Sequence, residues 1–150
     1  MIRIDFVTDD ALYLDTDSLI GWDFSGMNLH RAIFDGMCLD GARFNHAHLR
    51  NISFINASLI GADLSSSALM CAWLNSADLT NCNIAQSRPI DADFRHARLC
   101  GADFTDTDLR GANFSSTHLQ NVCFNGAHYD KRTVWPAEFY PRINGAVLVD

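Results

Sequence analysis

The chain has 150 residues, 48% of them apolar, with 18 acidic against 11 basic side chains and a formal net charge of −7. That length suits one domain, no apolar run approaches a membrane span, and Asp5, Asp9 and Asp10 break up the first residues, which do not read as a secretory signal. The five cysteines (Cys38, Cys71, Cys82, Cys100, Cys123) are odd in number and form no C-x-x-C pair, so they are expected as free thiols in a reducing, cytoplasmic setting without a disulfide or metal role.

Residues 1–18 form an entry segment. Ile2, Ile4 and Phe6 alternate with Arg3 and Asp5, the period of a half-buried strand, and Asp9-Asp10 reads as a turn. The segment is expected to cover one open end of the repeat that begins at Leu19. It is also where the acid is concentrated. Residues 1–23 hold Asp5, Asp9, Asp10, Asp15, Asp17 and Asp23 against Arg3 alone, whereas 24–128 is nearly neutral and 129–150 is balanced.

From Leu19 to Phe124 every fifth residue is Leu or Phe, with Ile84 and Pro89 as the departures. The residue two before each is small (Ala32, Ala42, Ala62, Ala102), and the residue two after is often Gly or Asn (Gly26, Gly41, Gly101, Asn121). A helix needs apolar spacings of three and four and an ordinary strand needs strict alternation. A stride of five fits neither. It fits a chain that turns a corner every five residues.

These residues resemble the pentapeptide repeat family. The resemblance implies an all-β fold, a right-handed quadrilateral parallel β-helix with four repeats per coil, and so a second period of twenty. The sequence carries that period. Taking every fourth large residue gives a column Phe24, Phe44, Leu64, Ile84, Phe104, Phe124, then Leu29, Leu49, Leu69, Pro89, Leu109, Tyr129, then Phe34, Phe54, Leu74, Phe94, Phe114, and last Leu19, Leu39, Leu59, Leu79, Leu99, Leu119. Phe is confined to the first and third columns. Over 19–128 this predicts about five to six coils in a rod on the order of 25–30 Å long. We call the outer surfaces behind the Phe24, Leu29, Phe34 and Leu39 columns the first to fourth faces. Pro89 is expected as a local bulge, with Ile90 turning inward to replace the missing Leu.

From Tyr129 the pattern changes to Tyr129-Asp130-Lys131-Arg132-Thr133-Val134-Trp135-Pro136. This resembles the Y-D-x-x-T-x-W-P tail found in many cyanobacterial members of the family. Residues 129–150 are expected as a lid in which Trp135, Phe139 and Tyr140 cover the last coil, with a dimer contact through the same surface as the sharper alternative. Gly145–Val149 is expected as a final strand.

Outward positions carry no catalytic pattern. The six histidines (His30, His46, His48, His96, His118, His128) fall on different columns without convergent metal geometry, and no phosphate loop or nucleophile motif occurs. The expectation is no enzyme, no cofactor, no metal, no membrane and no direct nucleic-acid binding. One outward cluster stands apart. Met70 and Ile90 lie on the second face and Trp73, Ile33 and Ile55 around the adjoining corner, the composition of an interaction patch. The reading is a scaffold or interaction module for a protein partner or a second copy. The alternative, drawn from members related to quinolone resistance, is a duplex-DNA mimic that protects DNA gyrase. Arg31, Arg50, Arg88 and Arg110 on the second face weigh against it.

Overall fold

The computed structural model describes all residues from Met1 to Asp150. Each five-residue step ends in a turn closed by the amide three residues after the large side chain. Ala32 donates to the Leu29 carbonyl, and Ala42 and Ala62 donate likewise to Leu39 and Leu59, all at 3.0 Å. The third residue of each turn has positive φ, as at Gly41 (65°), Asn51 (56°) and Cys71 (55°), which makes the turn type II. Gly and Asn at this position therefore answer a backbone demand. From Gly21 to Gly126 the position never carries a β-branched residue, for which that conformation is costly.

Four steps return the chain above its start. Parallel bridges join Asp23 to Arg43, Arg43 to Asp63 and Asp63 to Asn83, twenty residues apart each time. Between neighbouring rungs the Phe24 amide donates to the Arg43 carbonyl at 2.7 Å and the Arg43 amide to the Trp22 carbonyl at 2.9 Å. Such a stack gains stability from nearest neighbours rather than from one globular centre.

The interior sorts as the columns predict. Phe24 and Phe44 stack at 4.8 Å, as do Phe94 and Phe114, and the first and third columns meet edge to face, Phe24 against Phe34 at 5.4 Å. Leu64, Leu74 and Ile84 interrupt the aromatic stacks with a buried aliphatic waist. The small position before each large residue is also inside. Ser67, Thr107 and Thr117 carry a hydroxyl there that donates back to the carbonyl three residues earlier, Ser67 to Leu64 at 2.6 Å and Thr107 to Phe104 at 2.7 Å, whereas the buried Ser87 hydroxyl, two residues before Pro89, has no partner.

Pro89 corrects the sequence reading. It makes no bulge: Pro89 itself is buried at the inward position, Ile90 is only half-buried, and the stride from Ile84 to Phe94 is kept. The Ala92 amide still closes the turn on the Pro89 carbonyl at 3.1 Å. What is lost is two ladder contacts. The second-face bridges run His48 to Ala68 and Asp108 to His128 but skip Arg88 on both sides: proline has no amide to give the Asp108 carbonyl, and the Leu69 amide makes no bond to the Arg88 carbonyl.

At the N-terminal end β1 (Ile2–Phe6) and β2 (Ala11–Leu14) form an antiparallel hairpin. β1 also pairs antiparallel with β3 (Ala32–Ile33), Asp5 opposite Ile33, and so extends the third-face sheet. Ile4 is fully buried, and Ile2, Phe6, Leu12 and Leu14 pack against the core.

At the other end Trp135 is a rung of a stack. It lies parallel to Phe114 at 5.0 Å, and Val134 rather than residue 133 bridges to Asn113, so this corner holds one extra residue. The Asp130 carboxylate accepts the backbone amides of Gly111, Arg132 and Thr133, and the Thr133 hydroxyl bonds the Leu109 carbonyl at 3.0 Å. Those bonds hold the longer corner and explain the D-x-x-T spacing. β4 (His128–Tyr129) pairs parallel with β5 (Val147–Leu148). Phe139 packs on Phe124 and Trp135, whereas Tyr140 is 63% exposed and covers nothing. No helix is long and apolar enough to cross a membrane.

Candidate functional site

The first and second faces share one backbone and differ in what their outward side chains meet. On the first face Arg43 pairs with Asp23 across one rung, and Ser25 donates to Asn45 at 2.6 Å. Ser25 first, and Arg43 after it, hold the Asp23 carboxyl below its ordinary range. Asp103 accepts the Thr105 amide and hydroxyl. This surface is internally satisfied.

On the second face Asp108 is taken by Arg110 in a two-pronged pair, 2.8 and 2.6 Å, which is the main reason its carboxyl sits below the ordinary range. At the adjoining corner Arg132 pairs with Asp91 at 2.7 Å and with Asp130 at 3.0 Å. Burial works to raise the Asp130 carboxyl, but the Gly111 and Arg132 amides and the Arg132 guanidinium outweigh it. With those acids engaged, Arg31, Arg50 and Arg88 have no ion-pair partner. Ala68, Met70 and Ile90 sit among them on the same face. The second face is the one basic side of an acidic protein.

Around the corner the third face carries a shallow depression of about 570 Å³ lined by Val7, Arg31, Ile33, Ile55 and Trp73, with Asp35, Asn51 and Ser53 on its polar side. Trp73 is 55% exposed there. Asp35 is turned to structural use, since it accepts the Ser53 hydroxyl and the Ile55 amide. Further along the face Asp93 is gripped by Arg95; burial opposes ionisation, yet the guanidinium and the Arg95 amide leave the carboxyl low.

The five patch residues thus divide. Ile33, Ile55 and Trp73 line the depression together, while Met70 and Ile90 are half-buried on the second face and do not line it. Sequence reading missed Val7, which reaches the depression because the Val7 amide bonds the Arg31 carbonyl at 3.1 Å once the hairpin docks. It also missed a groove at the C-terminal end, lined by Leu119, Phe139, Tyr140 and Ile143. No three His, Cys, Asp or Glu side chains converge on a metal geometry, and burial pushes the inward Cys82 thiol well up.

A family model described as pentapeptide repeats matches the chain in eight copies, over residues 18–45, 38–72, 47–86 and 90–128. The chain belongs to the pentapeptide repeat family. Among solved members, a pentapeptide repeat protein of the Arabidopsis thaliana thylakoid lumen is 34% identical over 69% of each chain, with a TM-score of 0.46. The pentapeptide repeat protein Rfr23 of the cyanobacterium Cyanothece 51142 is 25% identical over 79% of this chain and 87% of its own, TM-score 0.48. Full-length QnrB1, a plasmid-mediated fluoroquinolone resistance protein, is 17% identical over 89% of this chain and 94% of its own, TM-score 0.34. No curated protein matches the chain.

Proposed function

We propose that this pentapeptide repeat protein is a non-enzymatic interaction module of the cytoplasm that docks a protein partner at the corner between its second and third faces. The observation that carries the reading is Trp73, more than half exposed in a depression whose other apolar members are Val7, Ile33 and Ile55. Large exposed aromatics cost free energy in water and anchor interfaces when covered. Rigid ladders on either side hold the site in one shape, so little ordering is needed on binding. The five unpaired thiols suit a reducing compartment.

The test is capture from the native host with a photo-crosslinker beside Trp73, repeated with Trp73→Ala and with a first-face control, Ser65→Ala. A band present in the parent and control but absent in Trp73→Ala supports the site. The same bands in all three would remove it.

Protection of DNA gyrase by duplex mimicry is the weaker reading. Mimicry asks for a continuous acidic rod. Here the first-face charges alternate and pair, and the second face is basic. No change in gyrase supercoiling with added protein is the expected result.

A further inference from the structure

We propose that the basic second face docks the acidic N-terminal hairpin of a second copy of this chain, so that the protein associates head to side. The inference rests on reading the second-to-third-face corner as an interaction surface, and it names one occupant for the second-face half of it.

The hairpin is the complement of that face. Arg3 engages Asp5 at 2.6 Å and the N-terminal amine lies 3.5 Å from Asp17. Asp9, Asp10 and Asp15 remain exposed with no cation beside them. Val7 and Tyr13 on the same hairpin are exposed as well, 66% and 58%. The hairpin therefore offers carboxylates interleaved with apolar side chains. The second face offers Arg50 and Arg88 with Ala68, Met70 and Ile90 between them, guanidiniums interleaved with apolar side chains in turn. Arg43, Arg95 and Arg98 on the other faces each have a carboxylate within 4 Å, as does Arg110 on this one, so the unpaired Arg31, Arg50 and Arg88 depart from the rule of the rod.

No carboxylate of the hairpin lies within 4 Å of Arg50 or Arg88 in its own molecule. β1 is pinned to β3 at the edge of the first coil, and Arg88 lies three rungs on, roughly 14 Å at the spacing of β-strands. A nucleic acid is the poorer occupant. Two or three guanidiniums release few counterions, and the net charge of −7 opposes a polyanion at every other face. The contact is small, so the association is expected to be weak, concentration-dependent and sensitive to salt.

Sedimentation velocity on the full chain tests this. At low ionic strength the mean sedimentation coefficient should rise with concentration and return to the monomer value in roughly 0.5 M salt, where the Debye length shrinks to a few ångströms. Arg50→Glu/Arg88→Glu removes the acceptor face, and Asp9→Asn/Asp10→Asn/Asp15→Asn removes the donor hairpin. Asn keeps the left-handed turn at Asp9 (φ 61°) available, and unchanged melting curves certify both folds. Each variant alone should associate at least tenfold more weakly than the parent. An equimolar mixture should recover a 1:1 pair, because one variant still supplies the hairpin and the other still supplies the face. A parent that stays monomeric, a mixture that stays monomeric, or an oligomer that persists in both variants overturns the proposal. None of these results bears on the crosslinking at Trp73, so the two readings fail separately.

Discussion

The first and second faces are built from the same turns and the same ladder, yet one is closed to partners and the other is not. On the first face Asp23, Arg43, Ser25 and Asn45 satisfy one another across rungs. On the second, Asp108 and Asp91 are consumed by Arg110 and Arg132, and Arg50 and Arg88 are left over beside Met70 and Ile90. A solenoid needs nothing from its outward side chains beyond compatibility with the turn. Groups left unsatisfied there are therefore the informative ones.

The largest perturbation should ignore the distinction. Phe94→Ala empties a fully buried site behind the third face, between the Phe104 and Phe114 rings, and should cost about 3–5 kcal/mol in urea or thermal melts. An unchanged melting point would contradict the inward register. Gly111→Ala strikes nearer the second face. Its φ of 70° disfavours a side chain, and a Cβ there would overlap Asp91 Oδ1, the partner of Arg132. A loss on the order of 1–2 kcal/mol is expected, with the corner loosened.

Asp108→Asn should do less, within about 1 kcal/mol at neutral pH, since the pair with Arg110 is only part-buried and remains open to solvent on the Arg110 side. Its sign with pH is fixed. Asp108 has a folded pKa below its ordinary 3.8, so its stabilisation is present above that value and is lost as pH falls through the folded pKa. Parent and variant melting points should converge in strong acid. Smallest of all is Arg50→Glu/Arg88→Glu, whose effect on stability should stay within about 0.5 kcal/mol because neither arginine has a carboxylate within 4 Å and Arg88 acts on Asp108 only at longer range. A large loss would mean that the second face is structural after all.

Much of the fold was legible because the inward rule is strict. Residues such as Phe44 and Leu59 have one acceptable location, and the twenty-residue columns come from it. The tail was not. The step from Tyr129 to Trp135 breaks the stride of five, and only the bonds from Asp130 and Thr133 show that a longer corner keeps Trp135 in its stack. Pro89 misled for a related reason: the cost of a missing amide is real, but here it falls on the ladder on either side of Arg88 and leaves the turn intact. The site was half legible. Trp73, Ile33 and Ile55 share a face by register alone, whereas Val7 comes from an antiparallel hairpin that lies outside the repeat and obeys no stride.

Contacts at the second-to-third-face corner, and not elsewhere on the rod, are what the two faces together require. Hydroxyl-radical footprinting of the full chain, in buffer and in host extract, reads this directly because Met70, Trp73 and Tyr140 all oxidise readily and Tyr140 lies far from the corner that the other two share. Oxidation of Met70 and Trp73 should slow in extract while Tyr140, exposed at the far end, is unchanged. Unaltered rates at Met70 and Trp73, or protection centred on Tyr140, would contradict it.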